Sequence, residues 1–110
     1  KNWSLIYNDK RSASIAPAYD FVSTIPYMPD KEAALKVSRS KKFADFTMDE
    51  LSHLAARARL PEKLVLDTAS ETVELFHEKW QSEKTNLALN GDVIEAIDKH
   101  LEDIPIAKKK

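Results

Sequence analysis

Thr47-Met48-Asp49-Glu50-Leu51-Ser52-His53-Leu54-Ala55-Ala56-Arg57-Ala58-Arg59-Leu60-Pro61 decides the fold. Thr47 followed three residues later by Glu50 is a capping box: the hydroxyl serves an orphan amide, and the carboxylate returns the bond. Leu51, Leu54, Ala55 and Ala58 then repeat at helical spacing and make one apolar stripe. Pro61 suits the first position of a second helix, where its missing N–H is no loss. Downstream, Leu64, Val65, Ala69, Thr72, Val73, Phe76 and Trp80 keep a 3–4 spacing to about residue 84. Asn90-Gly91-Asp92 breaks and recaps the chain. Val93, Ile94, Ile97, Leu101 and Ile104 mark a last helix over about 92–103. The first two helices read as a helical hairpin packing Leu54, Ala58, Leu64 and Val65 together. Lys108-Lys109-Lys110 reads as a solvated tail.

Upstream the pattern changes. Trp3, Leu5 and Tyr7 alternate with Ser4, Ile6 and Asn8, a period of two rich in strand-forming types. Asn8-Asp9-Lys10-Arg11 is a turn signal. The spacing predicts a β-hairpin over 3–8 and 12–17, limited at Pro17, which cannot donate to a ladder. Pro26 and Pro29 make 20–30 a loop, with a short helical turn expected at 20–24, and Leu35-Lys36-Val37-Ser38 suggests extended chain over 34–38. The expected fold is mainly α with an N-terminal β-hairpin, divided as 1–30 hairpin, 31–46 loop or extended chain, and 47–110 helical bundle.

Composition narrows the function. The 110 residues are one domain's worth, 43% hydrophobic and 32% charged, with a net charge of −1. Such a balance gives no electrostatic case for nucleic acid or an anionic membrane. The chain has no Cys, which removes disulfides, thiolate metal sites and thiol nucleophiles, and fits a reducing compartment. Its single glycine, Gly91, excludes a glycine-rich phosphate cradle. No apolar run approaches the roughly 18 residues a membrane span needs. The chain enters strand-like sequence at once and lacks an initiator Met, which reads as a piece of a longer protein.

Asn2 and Asp20 are the leading candidate site. If paired residues of the hairpin sum to about 19 or 20, Asn2 lies opposite Pro17 or Ala18, with Asp20 two or three residues beyond. Strands pair about 4.8 Å apart. An amide oxygen and a carboxylate thus converge at the hairpin base, and hard oxygen ligands of those types suit Mg²⁺ completed by phosphate and water. The plainer alternative is an exposed terminal Asn2 and an Asp20 that caps a short helix.

Lys1-Asn2-Trp3-Ser4-Leu5 and Ala16-Pro17-Ala18-Tyr19-Asp20-Phe21-Val22-Ser23 resemble the C-terminal kinase region of HipA-family toxins. There a hairpin joins an Asp-x-His-x-Lys-Asn catalytic loop to a Tyr-Asp motif. Lys1-Asn2 matches the end of the loop and Tyr19-Asp20 the second motif, with the same gap of eighteen residues between Asn and Asp. The likeness is specific in 1–23, weaker over Leu35–Phe43, and a matter of pattern in the helices. It implies part of the helical C-lobe of a protein-kinase-like fold and an ATP- and Mg²⁺-dependent Ser/Thr protein kinase. It further implies that Asn2 and Asp20 are metal ligands, with Asp20 holding the metal against the ATP phosphates and Tyr19 bordering the nucleotide. Lys1 matches a motif position without a chemical role. The catalytic-base Asp and the His of the loop would precede Lys1, and the nucleotide-binding lobe is missing as well. These 110 residues alone are therefore expected to bind ATP·Mg²⁺ negligibly and to transfer no phosphate. The likeness also implies a bacterial, cytoplasmic toxin–antitoxin setting, a DNA-binding antitoxin partner and a protein substrate linked to translation. The competing class is a non-enzymatic helical protein–protein interaction module, separated from the kinase reading by whether Asp-x-His-x precedes Lys1.

Other candidates read more plainly. Ala55, Arg59 and Val65 sit at helix-turn-helix offsets, but that turn wants Gly where Arg59 stands. The second helix carries Glu62, Asp67, Glu71 and Glu74 against Lys63, the wrong sign for phosphates. Lys36, Arg39, Lys41 and Lys42 form a basic run, read as a solvated loop or, alternatively, a contact for an acidic partner. His53, His77 and His100 lie on separate helices without ligand spacing and read as structural. Phe76 and Trp80 read as core. A lobe of this kind should expose apolar surface and self-associate or be marginally stable, with Trp3 or Tyr7 near an exposed edge.

Overall fold

The computed structural model describes residues 2–108. Lys1 and Lys109-Lys110, with the motif position and most of the tail read there, lie outside the described residues. Strands β1 (Leu5–Ile6) and β2 (Ser14–Ile15) pair antiparallel with Leu5 opposite Ile15 and Ile6 opposite Ser14. The register has a sum of 20, one of the two sums (19 or 20) expected, but each strand is only two residues long. One further bond, Ala16 N–H to the Ser4 carbonyl at 2.9 Å, extends the ladder before Pro17 stops it. The turn is tied by Asp9, whose carboxylate accepts from the amides of Arg11 at 2.9 Å and Ser12 at 2.6 Å. The Ser12 amide first, then that of Arg11, holds the Asp9 carboxyl at a pKa of about 2.

Two local expectations are overturned. Residues 20–24 form no helix; Asp20 takes a left-handed backbone (φ 56°), and the chain instead turns at 25–27, where the Thr24 carbonyl accepts from Tyr27 and Met28, both at 2.9 Å. A one-turn helix fixes many torsions for one bond, and Pro26 and Pro29 deny it further donors. Residues 34–38 are not extended. They belong to a loop closed by an isolated bridge between Glu32 and Lys42, with Phe43 N–H on the Lys31 carbonyl at 3.1 Å and Val37 N–H on that of Ser40 at 3.0 Å. A 3-10 turn, Phe43–Asp45, follows.

Helix α1 spans Met48–Ala58, α2 Glu62–Glu83 and α3 Gly91–Asp103. Thr47 Oγ1 accepts the Glu50 amide at 3.2 Å, half of the expected capping box; the Glu50 carboxylate turns elsewhere. Arg59 ends α1 in the left-handed region (φ 55°), its N–H on the Ala55 and Ala56 carbonyls. Pro61 lies one residue before α2 rather than within it. Asn90 caps α3, its side-chain oxygen accepting the Asp92 amide at 3.3 Å.

Leu51, Ala55 and Trp80 are the buried apolar residues, so the core lies among the helices. Helix α1 packs on α2. Leu51 of α1 and Leu64, Val65 and Ala69 of α2 line one apolar groove that Phe46 and Ile106 complete, as the spacing expects for Leu64 and Val65, though Leu64 stays exposed. Ala58 is exposed and outside the groove, which corrects the expected seam at that residue. Trp80 ties α2 to α3, its indole N–H donating to Asp98 at 2.7 Å, and Lys84 reaches the other Asp98 oxygen at 2.9 Å. Lys84 first, then the indole, lowers the Asp98 pKa. Phe76 stacks on Trp80 at 6.3 Å but is 46% exposed, so it lids the core rather than joining it. The 3-10 segment Pro105–Ala107 straps the helices: Ile106 N–H meets the Phe46 carbonyl at 3.1 Å, and His77 Nε2 donates to the Ala107 carbonyl at 2.6 Å. His100 stands edge-on to Phe43 at 4.7 Å.

The molecule is spread out for its size. Its accessible surface is 8758 Å² where a folded monomer of 12.5 kDa exposes about 6200 Å². Its radius of gyration is 15.9 Å where about 13 Å is usual for this length. Among the described residues no helix is long and apolar enough to cross a membrane.

Candidate functional site

The hairpin register sets the candidate pair. With Ser4 opposite Ala16, continuing the count puts Asn2 opposite Ala18, and Asp20 two residues farther on. The Asn2 side-chain amide donates to the Asp20 main-chain carbonyl at 3.4 Å. The structure therefore brings these two residues, eighteen apart in sequence, to one place at the hairpin base. Both have left-handed backbones, Asn2 at φ 62° and Asp20 at φ 56°. Asn and Asp tolerate that region better than other non-glycine residues. Tyr19 is held beside them, its hydroxyl 2.7 Å from Ser4 Oγ, a contact the sequence reading did not anticipate. Asn2, Tyr19 and Asp20 are all exposed, so a ligand can reach them. Among the described residues no three His, Cys, Asp or Glu side chains cluster as a self-contained metal cage. The pair offers one amide oxygen and one carboxylate, hard donors of the kind a Mg²⁺ site uses when phosphate and water complete it.

A second polar constellation was missed by sequence reasoning. Glu50 is 3% exposed, and its Oε1 accepts the amides of Ser38 at 3.0 Å, Arg39, and Ser40 at 3.1 Å. Arg39 Nε donates to Oε2 at 2.8 Å and Arg39 Nη2 to Asp49 at 2.6 Å. One turn along α1, His53 Nδ1 lies 2.7 Å from Ser38 Oγ. Burial pushes the Glu50 carboxyl up, but the Arg39 guanidinium and the amides of Ser40, Arg39 and Ser38 outweigh it and hold the pKa at about 2. The basic run is thus partly neutralised within the molecule: Arg39 serves Asp49 and Glu50, and Lys41 pairs with Glu32 at 2.7 Å. A carboxylate three residues after a Thr suggests only a capping box, and nothing in the spacing points it at residues 38–40.

Comparison with known proteins covers the chain. The family model of the HipA-like C-terminal domain matches residues 1–80, from the candidate pair to Trp80. A protein of Sinorhizobium fredii named "Putative kinase Y4dM" is 51% identical over 110 residues, which is 99% of this chain and 27% of the relative. The chain therefore spans just over a quarter of that curated relative's length. No solved structure matches it. With the match running over the hairpin base and through α1 and most of α2, the chain belongs to the family of HipA-like C-terminal domains.

Proposed function

We propose that the chain is the part of a larger ATP-dependent Ser/Thr protein kinase that carries its metal and phosphate ligands, within the helical C-lobe of a kinase-like fold. The apposition of Asn2 and Asp20 at the hairpin base carries this reading, supported by family membership and by the relative's name. The unit would comprise the hairpin and metal motif (1–30), a connecting loop (31–46) and the helical bundle (47–110). Mg²⁺ with ATP supplies neutralisation of phosphate charge for phosphoryl transfer. The Asn2 side-chain oxygen and the Asp20 carboxylate would hold the metal, and Asp20 and Tyr19 would border the nucleotide. The hydrogen bond from the Asn2 amide to the Asp20 carbonyl holds the two residues together, and the Ser4 hydroxyl pairs with that of Tyr19. Rigid ligands of this sort help because they are oriented before charge develops.

The general base, an Asp, belongs upstream of Lys1, so these 110 residues alone transfer no phosphate. The substrate is a protein, of a kind linked to translation, and the partner a DNA-binding antitoxin in a bacterial cytoplasm. The test is Asp20→Asn in the intact protein. Phosphotransfer should fall by orders of magnitude with the melting temperature little changed, since Asn keeps the shape of Asp and removes only its charge. Retained transfer would refute the assignment. A non-enzymatic interaction module is favoured instead by the open apolar groove of about 440 Å³ along α2, closed by Phe46, Leu51 and Ile106, and it expects no phosphotransfer from the intact protein at all.

A further inference from the structure

The two faces of the hairpin differ. Leu5 and Ile15 are directly paired, so they share a face, and Trp3 and Tyr7 join it by the period of two. Their exposures are 57%, 69%, 69% and 54%. The opposite face carries Ile6 and Ala16, both half-buried, and Ser4, bonded to Tyr19. One face is therefore partly covered, while the other presents four large apolar side chains without a charge among them. Two paired strands are marginal in water unless a third strand or a packed layer covers them. The excess of accessible surface over that of a compact chain of this mass points the same way.

We infer that the Trp3–Leu5–Tyr7–Ile15 face is an internal interface, covered in the intact protein by an apolar layer of the polypeptide that lies outside these 110 residues. The relative covers 99% of this chain with only 27% of its own length, so nearly three quarters of a closely similar protein is available to supply that layer. The absence of charge on the patch suits a permanent contact better than a reversible partner, whose interfaces are more polar. This inference rests on reading the chain as part of a longer protein. Its readout is accessibility rather than phosphotransfer, so it and the kinase assignment fail separately.

The test is hydroxyl-radical footprinting of the intact protein by mass spectrometry, native against urea-unfolded. Trp3, Leu5, Tyr7 and Ile15 should be labelled several-fold more slowly in the native protein. Labelling as fast as in the unfolded protein would overturn the inference. So would protection that fades on dilution, because the cover would then be a second copy. Ile15→Asp adds an independent arm: it should lower the melting temperature of the intact protein by several degrees, and an unchanged melting temperature would also overturn the proposal.

Discussion

Residues 2–46 and residues 47–108 are ordered by different means. The helical region holds every buried residue among those described: Glu50, Leu51, Ala55 and Trp80. The N-terminal region buries none, and is shaped by polar tethers: the Asp9 and Glu50 carboxylates accept main-chain amides, the Asn2 amide donates to a main-chain carbonyl, and the Ser4 and Tyr19 hydroxyls pair. Apolar burial sets the arrangement of the helices; polar tethers set the loops that carry the candidate ligands. Loops positioned on a rigid scaffold are the usual location of such ligands.

The comparison breaks most visibly at its two tryptophans. In the 110-residue chain, Trp80→Ala should cost about 3–5 kcal/mol, because it opens a cavity and leaves Asp98 without the indole. Trp3→Ala should change stability by no more than about 0.5 kcal/mol. Urea unfolding of the two variants checks this, and equal costs would erase the distinction between the regions.

Glu50→Gln probes the junction. The variant weakens the tether, so amide exchange at Ser38, Arg39 and Ser40 should accelerate before any change in α2. The same group predicts an acid dependence. Its pKa falls from an ordinary 4.5 to about 2 on folding, so its stabilisation is complete above about 4.5 and is lost as pH drops toward 2. Urea midpoints measured across that window should fall in the native chain, and fall less steeply in the variant.

The smallest effects concern backbone chemistry inside the helical region. Arg59 takes the left-handed position that glycine favours, while Gly91 sits without positive φ at the start of α3, where an added Cβ meets nothing within 4 Å. Arg59→Gly should stabilise the chain by up to about 1 kcal/mol, and Gly91→Ala by about 0.4–1 kcal/mol, both read as shifts in melting temperature.

The helices were legible because period, cap and breaker agree: Thr47 starts α1, Asn90 starts α3, and the apolar spacing runs between them. The hairpin register was legible to within one residue, because its turn residues and alternation narrow the sum to 19 or 20 and the structure has 20. The loop at 34–38 was not, because its conformation is imposed by Glu50, a partner 10 to 12 positions away that no local propensity encodes. The same holds for Ala58, whose spacing says helix face but not which part of that face a neighbour covers. The candidate pair was legible as a juxtaposition through register alone; the left-handed backbones of Asn2 and Asp20 were not, since neither residue type demands them.

The Glu50 tether orders events in time as well as in space. The carboxylate can reach all three amides only once the first turn of α1 has wound and oriented it. Closing so short a span costs little chain entropy. The segment around Arg39 should therefore settle with the nucleation of α1, ahead of the docking of α3 through Trp80, and should be among the last loops to come loose when the molecule unravels from its N-terminal end.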